Sequence, residues 1–338
     1  MVGLGPHYSQ IESIGMTTDF EKKYAFITAV GDRIGLVLDD NYWDYMLKAH
    51  EEDYGYQTEY KKFSKYIDDV WSGDVKSYRK ELYKIRNTLV DLAWYFRKND
   101  FGIRGKDCNK DLKEFVLSGT SEDRTMLHGH YYLSIDLKNA DFQVVDYLNL
   151  LHGETINDYI RKTSEHTEIM EYKGNRNRTW DYMEKIMGHS KLYIWELYCL
   201  SKIYESDHEI MQYIRDNNLK LRKINGDELI FEIGEDMNLP QDFIDKWCKH
   251  DVGIEGLTCH VKALRYGLAH YTINGQEQYK SFYDNHVTGQ RKYVTKNCIY
   301  IHQLDKIYRG KKLTEKDNAI KNGQGFKKFS DKIIILEN

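Results

Sequence analysis

Two segments of the sequence carry acidic residues directly after a predicted strand or turn. Asp136 directly follows the apolar segment 131–135, and Asp227 and Glu228 directly follow a turn-forming Asn-Gly pair. Carboxylates hold hard divalent cations such as Mg²⁺ or Mn²⁺, usually one or two per ion, with phosphates and water completing the shell. Nucleotidyl transfer uses two such ions about 3.5–4 Å apart. If the two strands are neighbours in one sheet, Asp136 and Asp227 supply that geometry.

The segment around Asp136 changes from a strand pattern to a helix pattern. Residues 131–135 (YYLSI) predict a strand and residues 136–139 a turn, and a helix is expected to begin near Ala140 with apolar residues on one face. Burying the carboxylate of an Asp at the end of a strand costs free energy unless a cation or several hydrogen-bond donors compensate its charge. The alternative is a helix cap, in which the carboxylate of Asp136 accepts from the first backbone amides of that helix.

The second acidic pair sits on a predicted β-hairpin. Two short apolar runs within 221–233 flank Asn225-Gly226, and the second run alternates between apolar and polar residues. Asp227 and Glu228 come directly after this turn. The alternative interpretation is an ordinary type I′ hairpin whose acidic side chains are solvated.

These two segments resemble motifs of template-directed polymerases. Asp136-Leu-Lys-Asn-Ala-Asp141 resembles the first palm motif of viral RNA-dependent RNA polymerases and their reverse-transcriptase relatives, in which two aspartates lie along a strand that enters a helix. Gly226-Asp227-Glu228 resembles their Gly-Asp-Asp hairpin, with Glu in place of the second Asp. Asp136 and Asp227 lie 91 residues apart, and the resemblance covers roughly 132–233.

The resemblance implies roles for each acidic residue. Asp136 and Asp227 would hold two Mg²⁺ (or Mn²⁺) ions, with Glu228 as the second acid at the hairpin. Reverse transcriptases place a bulky aromatic residue at the position of Asp141, which excludes a 2′-hydroxyl. The RNA-synthesising relatives have an Asp there, which accepts a hydrogen bond from that hydroxyl or from a residue that contacts it. Asp141 therefore favours ribonucleotides as substrates.

A basic segment lies between the two acidic motifs. Such polymerases have a glycine-containing loop entering a long helix, and Gly174 followed by a helix from about Trp180 fits that pattern in part. Lys173, Arg176 and Arg178 resemble the basic fingers residues that bind a triphosphate through charge-assisted hydrogen bonds. The alternative is a solvated basic loop.

The two motifs also resemble those of a second family of nucleotidyl-transfer enzymes. Diguanylate cyclases also pair a strand-end Asp with a Gly-Asp-Glu hairpin. Their two motifs lie much closer together than Asp136 and Asp227, and a second Gly precedes the hairpin motif where this chain has Asn225. The spacing therefore favours the polymerase resemblance.

The C-terminal part of the chain is strongly basic. Residues 291–332 contain 12 Lys or Arg and four Asp or Glu, within a chain whose formal net charge is −4. Tyrosines and cations mixed in this way suit a single strand or a template–product duplex, because bases stack on aromatic rings and cations pair with phosphates. The alternative is an ordinary basic surface. The predicted nucleic-acid contacts are Lys296, Lys306, Arg309, Lys311 and Lys312.

Length and composition limit the remaining choices. The 338 residues allow about two domains. No run of 18 apolar residues predicts a membrane span, and five cysteines without a CxxC pair indicate reduced thiols in a cytoplasmic protein.

Cys248, His250, Cys259 and His260 could form a zinc set, although their spacing fits no common motif. The two prolines and 28 tyrosines are typical of an A+T-rich genome, so the resemblance favours a virus or phage, located in the host cytoplasm or virion.

The sequence as a whole predicts an α+β protein with a palm-like antiparallel sheet. The expected parts are a mainly helical N-terminal region (1–120), a palm with reduced fingers (121–256) and a basic thumb-like subdomain (257–338). Within the first part, residues 24–30 read as a short strand and residues 41–97 as helices. The expected function is RNA synthesis, with nucleoside triphosphates, RNA or single-stranded nucleic acid, and other replication or virion proteins as partners. The alternative is a catalytically inactive palm that acts as a binding or assembly subunit.

Overall fold

The computed structural model describes most of the chain, in two compact units. The described residues are 18–30, 43–44, 47–48, 51, 55–117, 126–273, 276–293, 319–322 and 325–328. The first unit comprises Met1–Lys84, Glu168–Arg178 and Asn297–Asn338, and the second comprises Ile85–Thr167 and Thr179–Lys296.

The first unit contains helices that pack through aromatic side chains. Its helices include α1 (Thr18–Val30), α2 (Tyr56–Trp71) and the beginning of α3 (Val75–Lys98), and β8 (Ala319–Asn322) pairs with β9 (Gly325–Lys328). Phe26, Phe63 and Tyr78 are fully buried. The ring of Phe63 lies 5.7 Å from the rings of both Phe26 and Tyr78.

The predicted strand at 24–30 is wrong, because these residues form the second half of α1. A short apolar run does not distinguish a strand from a buried helix by periodicity alone. Here the helix is supported by an ion pair between Lys23 and Asp19, four residues apart on the same face, at 2.7 Å. Phe26 lies one turn further along and packs edge-on against Trp43.

The second unit is built on an antiparallel sheet, which confirms the α+β class. The strand order is β2-β3-β1-β5-β6-β7, and β4 also pairs with β5. The bounds are β1 Tyr131–Leu137, β2 Lys220–Ile224, β3 Glu228–Gly234, β4 Asp251–Ile254, β5 Leu257–Ile273, β6 Gln276–Asn285 and β7 Arg291–Tyr293. Helices connect β1 to β2 and β3 to β4, so β1, β2, β3 and β5 follow the split βαβ arrangement, in which sequence neighbours are separated by a strand from elsewhere.

Helices precede the sheet and fill its connections. They are α4 (Lys110–Leu117), α5 (Ala140–Tyr147), α6 (Ile156–Arg161), α7 (Lys173–Met187), α8 (His189–Glu205), α9 (Glu209–Asp216) and α10 (Gln241–Trp247). The predicted strand-to-helix change near Ala140 and the predicted hairpin at 221–233 are therefore confirmed. In the part of the chain that the structure describes, every helix is too short or too polar to span a bilayer.

The two faces of the sheet differ in chemistry. On one face, Leu133, Ile135 and Phe231 are buried, and the ring of Tyr204 in α8 stacks on Phe231. On the other face, β1 presents Ser134 and Asp136, which side chains of β3 and β5 flank. The helices thus cover the face of Leu133 and Ile135. The opposite face carries Asp136 and Glu228 near the end of β1, and buried Tyr132 and Ile230 further along the strands.

The sheet extends beyond the boundary that the sequence predicts between 256 and 257. Residues 257–273 form a single 17-residue strand, β5, which pairs with β4 through a turn at Glu255-Gly256. β5 also pairs with β1 along seven residues. Val261 and Ala263 are buried on the helix-covered face, so β5 completes the hydrophobic layer and belongs with the sheet.

Candidate functional site

Asp136 lies near the end of the central strand β1, between two neighbours. Its position is opposite Glu228 of β3 and opposite His260 of β5. Its side chain is 23% exposed and accepts a hydrogen bond from the ammonium group of Lys262. Asn139, and not Asp136, is the N-cap of α5, so the helix-cap alternative for Asp136 is excluded.

The tip of the β2–β3 hairpin is tied to the end of β1. Within the turn, the backbone N–H of Asn225 donates to the carbonyl of Glu228 at 2.9 Å, and Gly226 has a φ of 67°. Asp227, the other central residue of this turn, does not share this positive φ, so the turn is not type I′. The backbone N–H of Leu137 donates to the carbonyl of Asp227 at 3.0 Å. The two strands are neighbours in one sheet, as the metal hypothesis requires.

The environment of Asp227 is unfavourable to its negative charge. Burial raises the pKa of Asp227 to about 6, and the charges of Asp136 and Glu228 act in the same direction. Lys262 opposes this effect and lowers the pKa. The carboxylates of Asp136 and Asp227 therefore lie close enough to repel each other, which a bound cation would relieve.

Glu228 is held by neutral donors. The hydroxyl of Ser134, a fully buried residue of β1, donates to one carboxylate oxygen of Glu228. The amide nitrogen of Asn225 lies 3.4 Å from the other oxygen. Glu228 is therefore oriented by its neighbours and lies beside the pair formed by Asp136 and Asp227.

A further acid, Glu196 of α8, was not predicted from the sequence. Burial raises the pKa of Glu196 to about 8, and the charges of Asp141 and Asp227 add to the effect. Asp141 lies in the first turn of α5, so Glu196 connects the predicted ribose-selecting residue with the hairpin. The available signal was a carboxylate between Trp195 and Leu197, both buried, in the middle of an apolar helix.

The other missed residues lie on β5. His260 and Lys262 alternate with buried Val261 and Ala263, so both point to the face that carries Asp136. The ring nitrogen Nδ1 of His260 lies 2.7 Å from a carboxylate oxygen of Asp251 on β4. In the sequence, the alternation of polar and apolar residues along 260–263 indicates that His260 and Lys262 share one face of a strand. Their proximity to Asp136 follows only from the order of the strands in the sheet.

The same alternation argues against the zinc set. Cys259 and His260 are consecutive in a strand, so their side chains point to opposite faces of the sheet. Cys259 is fully buried, and burial raises the pKa of its thiol to about 12. A thiol that stays protonated on the apolar face is a poor zinc ligand.

Lys173, Arg176 and Arg178 lie in the first unit, at the start of α7. The prediction of a glycine-containing loop before a helix at Trp180 is wrong, because the helix already begins at Lys173. Arg176 is only 9% exposed and donates to the backbone carbonyl of Met170 at 3.1 Å. Arg176 thus has a structural role, and the triphosphate role of these residues stays a prediction.

The segment before α7 explains why a Gly-Asn-Arg sequence forms helix here. Asn175 is fully buried and donates to the carbonyl of Ile169 at 3.0 Å. It also accepts from the hydroxyl of Tyr78 at 2.9 Å. The burial of Asn175 and these two hydrogen bonds outweigh the low helix propensity of Gly and Asn.

The predicted nucleic-acid contacts of the C-terminal segment lie outside the described residues. These are Lys296, Lys306, Arg309, Lys311 and Lys312. The described part nearest to them is β7, where Arg291 forms two hydrogen bonds with Asp284 of β6 at 2.7 and 2.9 Å. One cation of the basic stretch is therefore paired within the sheet.

Asp136 and Asp227 fit a divalent cation by the chemistry of their donors. Asp136 supplies hard oxygen atoms from β1 and Asp227 supplies them from the adjoining hairpin tip, and their mutual repulsion favours a cation between them. Within the described ranges, no group of three or more His, Cys, Asp or Glu side chains could hold a metal ion by itself. Because Mg²⁺ in nucleotide sites takes one or two carboxylates together with phosphates, the pair suits an ion that arrives with a triphosphate.

Comparisons with known proteins add no assignment. No protein-family model, no curated protein and no solved structure matches this chain.

Proposed function

We propose that this protein is a metal-dependent nucleotidyltransferase that synthesises RNA on a template, in a virus or phage. The observation that carries the proposal is that the hairpin tip bearing Asp227 adjoins the end of β1 that bears Asp136: Asp136 lies opposite Glu228, and Leu137 donates to the carbonyl of Asp227. Burial and the charge of Asp136 raise the pKa of Asp227 to about 6. Two carboxylates that repel each other in this way, one of them partly exposed near the end of β1, are suited to divalent cations.

The residues around the proposed metal centre would have different roles. Asp136 and Asp227 would hold Mg²⁺ or Mn²⁺ ions, which when bound activate the attacking hydroxyl and stabilise the charge on the triphosphate. The backbone hydrogen bond from Leu137 to Asp227 keeps the hairpin tip against β1. Ser134 orients Glu228 beside this pair. The site therefore relies on a rigid sheet to position its ligands.

The direct test is nucleotide incorporation by the purified full chain. Short RNA and DNA templates, with and without primers, are incubated with ribo- or deoxyribonucleoside triphosphates and Mg²⁺ or Mn²⁺. We expect extension with ribonucleotides that depends on the metal and stops when EDTA is added. Absence of incorporation with every template, nucleotide and metal would contradict the proposal.

Asp141 offers a test of the preference for ribose. Because a carboxylate that accepts a hydrogen bond from the 2′-hydroxyl favours ribonucleotides, Asp141→Ala is expected to lower the ribo-to-deoxyribonucleotide ratio of kcat/KM about tenfold or more. Asp242→Ala, in the first turn of α10, is the matched control because both residues occupy a helix N-terminus. An unchanged ratio in Asp141→Ala would remove Asp141 from sugar selection.

A second candidate function is a catalytically inactive palm that binds nucleic acid or assembles with other replication or virion proteins. One observation favours it: the carboxylate of Asp136 is already paired with Lys262, and that of Glu228 is already held by Ser134. Tight binding of RNA or single-stranded DNA without any incorporation, and without dependence on Mg²⁺ or Mn²⁺, would support this function over synthesis.

A further inference from the structure

The ammonium group of Lys262 contacts the carboxylate of Asp136, which is a proposed ligand of the metal ion. Lys262 lies opposite Ser134 in the β1–β5 pairing, two residues from the position of Asp136. Its ammonium group contacts a carboxylate oxygen of Asp136, and the side chains of Lys262 and Asp136 are 30% and 23% exposed. The pair therefore lies on the face opposite the helices, and both side chains remain accessible to ions from solvent.

The charges around this pair define what Lys262 does in the absence of metal. Asp136, Asp227 and Glu228 are three acids at the end of two paired strands. Lys262 is the cation that both contacts Asp136 and lowers the pKa of Asp227. Because like charges at close range repel strongly when partly buried, the free protein gains stability from an internal cation at this point.

The ammonium group and a divalent cation cannot share the same carboxylate oxygen. A metal that binds Asp136 must move the ammonium group aside, and the long, flexible stem of lysine permits this movement. The neighbours of Lys262 along the strand, Val261 and Ala263, are buried on the opposite face. The hydrophobic layer is therefore built without the Lys262 side chain, which leaves it free to move.

We propose that Lys262 is a built-in counter-ion that competes with divalent cations for Asp136, so that metal binding displaces its ammonium group. The inference rests on the proposed metal centre and deepens it. The competition keeps the affinity for free metal low, and the displaced ammonium group becomes available to the phosphates that accompany the ion.

The test is Mn²⁺ binding to the full chain without nucleotide, followed through the electron paramagnetic resonance signal of free Mn²⁺. Lys262→Met keeps the length of the side chain but removes the charge, and is expected to bind Mn²⁺ about fivefold more tightly, or more. Lys138→Met is the matched control, because Lys138 also pairs with an Asp on this sheet, Asp251, at 2.5 Å. Its affinity should equal that of the unmodified protein.

The outcomes separate this inference from the proposed function. If Asp136→Asn weakens Mn²⁺ binding but Lys262→Met does not tighten it, the metal centre stands and the competition is refuted. If Mn²⁺ binds neither the unmodified protein nor Lys262→Met, the competition is refuted, and the incorporation assay with metal and nucleotide together decides the proposed function. Binding that becomes measurable only in Lys262→Met supports the competition most strongly.

Thermal unfolding gives a second readout that does not depend on activity. Without metal, Lys262→Met should melt at a lower temperature than the unmodified protein, because its three acids lack their cation. Added Mn²⁺ should raise the melting temperature of the variant more than that of the unmodified protein, since tighter binding stabilises the folded state more. Equal metal-induced shifts in both proteins would refute the competition.

Discussion

Asp136→Asn is expected to reduce nucleotide incorporation at least about a thousandfold while the protein remains folded. An amide is a weaker metal ligand than a carboxylate, and a bound ion supplies several kcal/mol of charge stabilisation in the transition state. The change also breaks the ion pair with Lys262. Because both side chains are partly exposed, that loss costs only about 0–1 kcal/mol of stability. Incorporation rates with saturating Mg²⁺ or Mn²⁺ and the circular dichroism spectrum measure the two effects.

The neighbouring strand β4 provides the matched control. Asp251 is an exposed acid that pairs with Lys138 and His260 and lies close to Asp136 in the sheet. Among the described residues, its hydrogen bonds and ion pairs do not include Asp227. Asp251→Asn should keep incorporation within about twofold of the unmodified protein, as surface substitutions usually do. Incorporation by Asp136→Asn within tenfold of the unmodified protein would rule out the proposed metal centre.

Asp227→Asn is expected to remove activity and, in the absence of metal, to make the protein more stable at pH 8. In the folded protein, burial and the charges of Asp136 and Glu228 raise the pKa of Asp227 from 3.8 to about 6. Between these two values the folded state binds more protons than the unfolded state, so its stability falls as the pH rises. A shift of about two units corresponds to at most about 3 kcal/mol, and Asn avoids this cost.

The pH dependence identifies the cause of the gain. The stabilisation by Asp227→Asn should be about 1–3 kcal/mol at pH 8 and should shrink towards pH 4, where the native carboxyl group is protonated. Urea unfolding in EDTA at several pH values measures it. Asp236→Asn, an exposed position just beyond β3, is the control and should show no such trend. A gain that is the same at pH 4 and pH 8 would contradict a charge-based origin.

The local part of the site could be predicted because it depends on short segments. Residues 131–142 change from alternation to helical spacing within a few positions, and the structure places β1 and α5 there. The hairpin around Gly226 was signalled by a turn-forming pair between two apolar runs. Each signal lies within about a dozen residues, where sequence pattern and local geometry agree.

The residues that sequence reasoning missed depend on long-range pairing. Lys262 reaches Asp136 only because β5 pairs with β1, and the two residues are 126 positions apart. Glu196 reaches the hairpin through the packing of α8. No local pattern encodes which strand lies beside which, so the roles of Lys262 and Glu196 at the site appeared only in the structure.

The wrong local predictions have a related cause. The basic segment 173–178 was expected to be a loop because Gly and Asn are weak helix formers. Asn175 and Arg176 are nevertheless buried and bind the backbone carbonyls of the preceding turn. The hydroxyl of Tyr78, 97 positions away, also donates to Asn175. Burial and this long-range hydrogen bond outweigh the low helix propensity, and only the folded structure contains them.

The pairing of β1 with β3 also determines which kinds of sequence change this protein can tolerate. The separation of Asp136 and Asp227 is set mainly by the backbone ladder and by the hydrogen bond from Leu137 to Asp227, and less by side-chain rotamers. A slip of one residue in β1 would turn Asp136 towards the helix-covered face and bring an apolar neighbour to the polar one. Related chains can therefore exchange side chains along β1, but a single insertion or deletion within it would abolish the site and the core together.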